Sequence, residues 1–330
     1  MKRLALVAVL AAFLATGVTA AQAAATALPA HVYAPYFETW TTDSLTTTAQ
    51  QSGARYFTLA FLETLSKTSC TLAWDGDRAD PVANGHYLSD IASLRALGGD
   101  VIPSFGGWSA DQGGTEIADS CKDVNAIAAA YEDVIMRYNV TRLDMDVEGR
   151  SLTRTDGIDR RNEALTIVEA WAAANGRPFQ VSYTLPTSAS GLESTGVAIL
   201  QNAIANNTRV DVVNIMAFDY YDRVTSDMGT AAVNAANGTA AQLRSIGMTT
   251  TIGITLMPGL DDYPKKTENT TLAHAQQVVA YAKANNLSTL SIWAIQRDNG
   301  GCPGVTGSNS CSGIAQGTWD FTHVLQPFTG

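Results

Sequence analysis

The sequence has 330 residues, of which 46% are hydrophobic and 16% are charged, and this is the composition of a globular protein with a large core. Its formal net charge of −10 argues against a nucleic-acid partner, because phosphates would be repelled, and favours a neutral substrate such as a sugar. We expect a monomer and no cofactor. A metal site is also not expected, since the four histidines are scattered and do not have the spacing of metal ligands.

The first 23 residues have the features of a secretory signal peptide. Lys2 and Arg3 form a short positive start, residues 4–21 are apolar, and Ala21-Gln22-Ala23 is a small-x-small cleavage sequence. The alternative is a membrane anchor, because the apolar run approaches the length that spans a bilayer. We favour the signal peptide, which predicts a secreted, extracellular protein. No later stretch is apolar enough to suggest a membrane as partner.

Short apolar segments rich in Val, Ile, Tyr, Phe and Thr alternate with longer stretches of helical periodicity. Strand and helix repeat eight times, which predicts a closed (β/α)8 barrel (a TIM barrel) in a single domain over residues 30–330. The alternative, an open doubly wound sheet, would have a glycine-rich loop after its first strand, where this chain has Thr39-Trp40-Thr41-Thr42. The predicted strands span residues 31–38, 54–63, 100–107, 140–148, 179–187, 210–220, 249–259 and 289–297.

The four cysteines are even in number, which suggests two disulfides in an exported protein. Three pairings are possible. We favour Cys302 with Cys311, which closes a short loop rich in Gly and Ser, and Cys70 with Cys121. Two enlarged connections, residues 64–85 and 299–318, follow the second and eighth strands and therefore lie on the barrel face where active sites are built.

Three acidic residues alternate with apolar ones in the fourth predicted strand. Because side chains of a strand alternate between faces, Asp144, Asp146 and Glu148 share one face. The outward face of a barrel strand packs under helices, so the acids point into the barrel, and a solvent-facing acid ladder is the less favoured alternative. Burying three acids for packing alone is costly, and Glu148 comes last, at the catalytic end of the strand.

The spacing of these acids indicates a particular hydrolysis chemistry. Neighbouring same-face positions lie about 6.6 Å apart along a strand, which resembles the spacing of paired glycosidase carboxylates. Such pairs flank the scissile bond from opposite sides, however, and acids on one strand approach from one side. The conflict disappears if a 2-acetamido group of the substrate is the nucleophile. Glu148 would then be the general acid, Asp146 would hold the acetamide, and Asp144 would share a proton with Asp146.

These residues resemble the signature of glycoside hydrolase family 18, the chitinase family, over nearly the whole mature chain. That signature reads Asp-Gly-x-x-Asp-x-Asp-x-Glu or a form one residue shorter, and Asp144, Asp146 and Glu148 match it. Thr141 and Arg142 replace the first Asp-Gly, a departure that concerns the tuning of Asp144. The resemblance implies a (β/α)8 barrel that hydrolyses chitin or chito-oligosaccharides with retention and with help from the substrate acetamide.

Two further motifs match the family on predicted strands. Ser104-Phe105-Gly106-Gly107-Trp108 resembles Ser-x-Gly-Gly, and Met216-Ala217-Phe218-Asp219-Tyr220 resembles Met-x-Tyr-Asp or Met-x-Met-Asp-Tyr. Since Phe218 replaces the tyrosine that would bind the acetamido oxygen, the resemblance implies catalytic roles for Asp219 and Tyr220, with Tyr183 as a second candidate for that bond. Met216 suits barrel packing and is also a candidate for substrate contact.

Tryptophans are the candidate sugar platforms. By the resemblance, Trp293 is the floor under the reacting sugar, and non-proline cis peptides are expected at Ala60-Phe61 and Trp293-Ala294, although such bonds are very rare. Trp40, Trp74 and Trp108 follow the first three strands, and Trp40 and Trp108 in particular are expected to be substrate-binding walls.

Two related functions remain alternatives to a chitinase. An endo-β-N-acetylglucosaminidase of N-linked glycans uses the same barrel and acids, and the strand does not separate the two. A non-catalytic chitin-binding lectin of this fold would usually lack the acid that Glu148 supplies. Unrelated hydrolases are disfavoured because the sequence has no Gly-x-Ser-x-Gly and no His-Glu-x-x-His.

Overall fold

The computed structural model describes residues 26–330, so the predicted signal peptide, residues 1–23, lies outside the described residues. Its main feature is a closed barrel of parallel strands surrounded by helices, and this confirms the predicted (β/α)8 fold.

The strands of the described residues are β1 (Val32–Tyr33), β2 (Tyr36–Glu38), β3 (Tyr56–Thr64), β4 (Leu72–Trp74), β5 (Asp100–Gly106), β6 (Arg142–Asp146), β7 (Gln180–Ser188), β8 (Gly191–Leu192), β9 (Val212–Met216), β10 (Thr251–Leu256), β11 (Gly259–Leu260), β12 (Asn269–Thr270) and β13 (Thr289–Ile292). Their α-helices are α1 (Leu45–Ser52), α2 (Leu88–Ala96), α3 (Trp108–Gly113), α4 (Ile117–Ser120), α5 (Val124–Tyr138), α6 (Thr155–Ala174), α7 (Ser194–Ala205), α8 (Met228–Ser245), α9 (Leu272–Ala284) and α10 (Asp320–Leu325). Short 3-10 helices span Val82–Asn84, Gly149–Thr153, Ile295–Arg297 and Gln326–Phe328.

The first barrel strand is divided into β1 and β2 by Ala34 and Pro35. Proline has no N–H to donate to a ladder, so the pairing changes partner at this point. β1 pairs with β13 and β2 pairs with β3, both in parallel. The sheet therefore runs from β1 through β13, β10, β9, β7, β6, β5 and β3 to β2, and the two halves of one strand close the barrel.

Three short antiparallel additions decorate the barrel. β4 folds back on β3 within the enlarged connection after the second barrel strand, and β8 folds back on β7. β11 and β12 form a separate two-stranded ribbon after the seventh barrel strand. These additions lie beyond or beside the C-terminal ends of the barrel strands, where they contribute to the walls of the mouth.

The two faces of the fourth barrel strand, β6, carry different residues. Leu143 and Met145 point outward into the main hydrophobic core, where they are fully buried. Asp144 and Asp146 lie on the other face and line the barrel interior. α5, which precedes β6 and packs on its outer side, begins behind Asp123, whose carboxylate accepts the first free N–H groups, and ends where Asn139 adopts a left-handed conformation.

Several predicted strands extend further in the sequence pattern than in the structure, among them the sixth, which ends at Met216, and the seventh, which ends at Leu256. The fourth ends at Asp146, because Gly149 turns with a positive φ of 45° and the chain enters a 3-10 helix. Glu148 therefore lies two residues past the strand, at the start of that turn. The eighth ends at Ile292, so Trp293 also lies just past the barrel edge.

Two disulfides, Cys70–Cys121 and Cys302–Cys311, confirm the favoured pairing. The first joins the connection after β3 to the end of α4, and the second closes the loop after β13. None of the helices in residues 26–330 combines the length and apolarity of a membrane-spanning segment. Within the same residues no group of three or more His, Cys, Asp and Glu side chains is arranged to hold a metal ion.

Candidate active site

Asp144 lies deepest of the three acids and is held by hydroxyl groups. Its Oδ2 accepts hydrogen bonds from Tyr36 (3.0 Å) and Ser104 (2.7 Å), and its Oδ1 accepts from Ser182 (2.7 Å) and Thr184 (2.8 Å). Burial raises the pKa of Asp144, and the four hydroxyl donors oppose that rise by stabilising the carboxylate. The expectation that Asp144 shares a proton with Asp146 is not met, because its acceptor positions are already filled.

Asp146 instead forms a hydrogen bond with Glu148. Asp146 is only 3% exposed, and burial together with the charges of Glu148 and Asp144 raises its pKa well above the ordinary value. Burial also raises the pKa of Glu148 to about 7, while the hydrogen bond from Asp146 lowers it. The pair therefore holds at least one proton near neutral pH, which is what a general acid requires.

The Gly106-Gly107 pair ends β5 directly beside these acids. A Cβ atom at Gly106 would lie 2.1 Å from the backbone oxygen of Asp146, and one at Gly107 would lie 2.5 Å from the ring of Phe61. Both glycines have positive φ angles of 99° and 82°. A side chain at Gly106 would push the third barrel strand from the fourth, and one at Gly107 would collide with Phe61 of the second, so the pair is required for close approach as well as for the turn.

Asp111 is a site residue that the sequence patterns do not indicate. It lies on α3, is fully buried, and its Oδ2 accepts the backbone N–H of Glu148. The backbone N–H of Trp108, at the start of the same helix, donates to the Glu148 carboxyl group. No periodic signal could have found Asp111, because a contact across 37 residues depends on how the helix returns over the barrel mouth.

Aromatic side chains cover the mouth on the side of the first, second and eighth strands. Trp293 stacks on Phe61 with ring centroids 5.4 Å apart and an interplanar angle of 16°. Trp40 stacks on Phe61 at 6.4 Å and contacts Trp293 at 6.2 Å, and Tyr36 packs edge-on against Trp293. The peptides Ala60-Phe61 and Trp293-Ala294 are cis, which confirms that prediction.

Trp40 and Trp108 present indole surface to solvent, with exposed fractions of 39% and 60%. A cavity of about 800 Å³ lies on one side of Trp40, between α1 and the loop after β13, and is lined mainly by hydroxyl and amide side chains. A second cavity of about 380 Å³ lies between Trp40 and Trp74. The first cavity combines an aromatic platform with mainly uncharged polar walls, which suit a neutral, hydroxyl-rich ligand, whereas the second is lined by five aspartates. Neither cavity is lined by Asp144, Asp146 or Glu148.

Asp219 and Tyr220 lie past the sixth barrel strand, in a group of acidic residues. The Asp219 N–H donates to Asp261 (3.0 Å), and the Tyr220 N–H donates to Glu268 (2.7 Å). Burial, followed by the charges of Asp262 and Asp261, raises the pKa of Asp219 to about 8. The hydroxyl of Tyr220 is buried without a hydrogen-bond partner among the described residues. Met216, at the end of β9, is 6% exposed.

Two candidates from the sequence lie outside the barrel interior. Tyr183 is on β7 between Ser182 and Thr184, and because these two neighbours point inward to Asp144, Tyr183 points outward. Its hydroxyl donates to Asn162 of α6 (2.6 Å) and cannot reach a ligand in the mouth. The prediction for Tyr183 was therefore wrong.

Trp74 was also a wrong candidate for a sugar wall. It is only 2% exposed, because β4 folds back along β3 and turns the indole into the core. There its N–H donates to the hydroxyl of Tyr138 at 3.0 Å, so both its apolar and its polar surface are satisfied within the protein.

A family model described as glycosyl hydrolases family 18 matches residues 32–272. A probable bifunctional chitinase/lysozyme of Escherichia coli K12 is 30% identical over 324 residues, covering 92% of this chain and 35% of that protein. Endochitinase 11 of Metarhizium anisopliae is 31% identical over 290 residues, covering 82% of this chain and 53% of that protein. The chain thus spans between a third and about half of the length of these curated relatives.

The catalytic domain of a hyperthermophilic chitinase from Pyrococcus furiosus has a similar structure, with a TM-score of 0.80 and 30% identity over 92% of this chain and 96% of that one. Catalytic-site mutants of the active domain 2 of that chitinase, solved in complex with chito-oligosaccharides, match with the same values.

Proposed function

The chain belongs to glycosyl hydrolases family 18, and on this premise we propose that it is a secreted, retaining chitinase that hydrolyses β-1,4 linkages between N-acetylglucosamine units. The named activities of its relatives and the chito-oligosaccharide complexes of the Pyrococcus furiosus domain support this choice of substrate. Two disulfides support export, because such bonds persist mainly in oxidising compartments.

The proposal depends above all on one observation, the hydrogen-bonded pair of Asp146 and Glu148. Asp146 ends β6 and Glu148 lies two residues beyond it, so both carboxyl groups approach a glycosidic bond from the same side and cannot act as opposed acid and nucleophile. Asp219 is a poor substitute nucleophile, because its pKa of about 8 keeps it largely neutral near pH 7. The acetamido carbonyl oxygen of the substrate is therefore the nucleophile that fits.

Each step of this reaction has an assigned group. Glu148 gives its proton to the glycosidic oxygen as the bond to C1 breaks, and the acetamido oxygen forms the new bond to C1. Asp146, which passes the shared proton to Glu148 before cleavage, accepts the acetamide N–H as a carboxylate and stabilises the positive oxazolinium ion. Glu148 then takes a proton from the water that attacks C1. Two inversions at C1 give retention. Asp144 lies deeper than Asp146, where four hydroxyl donors hold its carboxyl group.

The remaining candidate residues bind the sugar. In this proposal the Tyr220 hydroxyl, which lacks a partner among the described residues, donates to the acetamido oxygen. Asp219 supports this segment by accepting the backbone N–H of Asp262. Trp293 is the platform under the reacting sugar, and Met216 packs beside it. Trp40 and Trp108 extend the platform to neighbouring sugars, since exposed indole faces stack on the C–H groups of a pyranose.

A product analysis with chitin hexamer tests the proposal. We expect wild type to release shorter oligosaccharides, and early NMR spectra to show the β anomer, because substrate-assisted cleavage retains configuration. Glu148→Gln should lose at least about 100-fold in kcat while still binding the hexamer. Glu163→Gln, the same change at an exposed position on α6, is the matched control.

Other outcomes of that experiment point elsewhere. An α anomer as first product would exclude the acetamide mechanism. Release of a high-mannose glycan from a glycoprotein, without cleavage of the hexamer, would identify an endo-β-N-acetylglucosaminidase. Binding of the hexamer without turnover by wild type would indicate a lectin.

A further inference from the structure

The helix α3 contacts Glu148 and the residue after it from behind. Asp111 accepts the Glu148 backbone N–H, and the Trp108 N–H donates to the Glu148 carboxyl group. The side chain of Gln112 packs tightly against Gly149, because a Cβ atom at Gly149 would lie 2.5 Å from the Gln112 amide nitrogen. Main chain and side chain of Glu148 are thus both held by one short helix, although Glu148 itself lies beyond the rigid strand.

Asp111 occupies an unusual environment for a carboxyl group. Its side chain is completely buried, and its second oxygen, Oδ1, has no hydrogen-bond partner among the described residues. Its charged neighbours are Glu116, Arg161 and Glu148. Burial raises its pKa well above the ordinary value, Glu116 adds to the rise, and the Glu148 N–H and Arg161 oppose it. The carboxyl group of Asp111 is therefore directed at the Glu148 backbone and does not cap its own helix, α3.

The elements behind Asp111 are anchored by a buried ion pair. Glu116, which precedes α4, receives the Arg161 guanidinium at 2.9 Å and caps α4 by accepting two backbone N–H groups. Both charged side chains are only 1% exposed. The chain on either side of Asp111 is therefore fixed at Gly107, beside Asp146, and at Glu116, so the carboxyl group has little freedom to follow Glu148 if the latter moves.

We propose that Asp111 is a positioning residue for the general acid, acting through its hydrogen bond to the Glu148 backbone N–H. This inference rests on the proposed role of Glu148 as the proton donor. The bond fixes the N–H side of Glu148 at the point where β6 has ended, whereas the Glu148 carbonyl oxygen is held separately by the N–H groups of Ser151 and Leu152. A misplacement of about 1 Å at a reacting group can cost 100-fold in rate, which is the scale of the effect we expect from losing this bond.

The test compares Asp111→Ala with Asp111→Asn. The asparagine oxygen can still accept the Glu148 N–H, whereas alanine cannot. We expect Asp111→Ala to lower kcat on chitin hexamer about 10- to 100-fold with KM changed by less than about threefold, and Asp111→Asn to remain within about threefold of wild type. Asp100→Ala is the matched control, because Asp100 is also buried and accepts a backbone N–H group, but lies at the N-terminal end of β5, opposite the mouth.

A spectroscopic readout keeps the test decisive if Asp111→Ala does not fold. The backbone amide of Glu148 should exchange slowly with deuterium in wild type and in Asp111→Asn, because an oxygen at either side chain can accept that N–H. The inference is overturned if folded Asp111→Ala has the kcat of wild type, if Asp111→Asn loses as much kcat as Asp111→Ala, or if the Glu148 amide exchanges rapidly in wild type. These outcomes differ from a failure of the proposed function, in which Glu148→Gln itself would keep its turnover.

Discussion

The carboxyl groups of Asp146 and Glu148 are joined by a hydrogen bond at the C-terminal mouth of the barrel, and both have raised pKa values. Asp146 is fully enclosed, whereas Glu148 retains some access to solvent. A proton shared by the two groups is therefore shielded from solvent on the Asp146 side and accessible from the barrel mouth on the Glu148 side. This arrangement suits a site that must deliver a proton to a ligand entering through the mouth.

The pH dependence of activity should follow Glu148. Its pKa is raised from 4.5 to about 7, so the carboxyl group keeps its proton up to neutral pH and loses it above. We expect kcat/KM to fall as pH rises through about 7. Because the folded state binds this proton more tightly than the unfolded state, the shift also stabilises the fold. This contribution is complete below about pH 4.5 and is lost as the pH rises to about 7. A pH profile of hexamer hydrolysis that stays level to about pH 9 would contradict the assignment.

Asp146→Asn should lower kcat about 100- to 1,000-fold with little change in stability. The amide keeps a donor for Glu148 and keeps the volume, but it cannot accept the acetamide N–H as a charged group does, and this interaction is strongest in the transition state. Single-turnover kinetics on the hexamer measure the loss. Asp133→Asn, in an exposed ion pair with Arg137, is the control for the chemical change, and equal activity of the two variants would refute the role.

Tyr220→Phe should lower kcat about 10- to 100-fold, since its buried hydroxyl has no protein partner among the described residues to lose. Tyr183→Phe removes a hydroxyl of the same kind that is bonded to Asn162 outside the barrel. We expect that variant to lower the melting temperature and to leave kcat unchanged. The reverse order of effects on kcat would restore Tyr183 as the acetamide ligand.

The two disulfides should differ in their contribution to stability. Cys70–Cys121 spans 51 residues and Cys302–Cys311 spans 9, so chain-entropy estimates give about 4 and about 3 kcal/mol. The double serine variant of the longer bridge should therefore melt at the lower temperature. Calorimetry of both variants measures this, and a larger loss from the shorter bridge would show that native contacts of the loop outweigh chain entropy.

Structural features that follow from a fixed side-chain period could be predicted from the sequence. The alternation of Leu143 to Glu148 places Asp144 and Asp146 inside the barrel, because a covered sheet leaves no other solution for that pattern. The same rule, applied to Ser182 and Thr184, would have placed Tyr183 outside. The two cis peptides were predicted from the family resemblance, since no local propensity predicts such bonds.

Contacts that depend on the path of a connection could not be predicted. Asp111 reaches Glu148 because α3 turns back over the strand end, and Trp74 is buried because β4 pairs with β3. Neither event has a periodic signature, since each is decided by pairing between distant segments. The exact end of β6 was also missed, and with it the fact that Glu148 needs support from outside its strand.

The divided first strand has a consequence for synthesis of the protein. Val32 and Tyr33 pair with Thr289 and Leu290, so the barrel cannot close until β13 is available. A nascent or truncated chain that ends before β13 would expose unpaired backbone along both β1 and β10, and such edges recruit other strands.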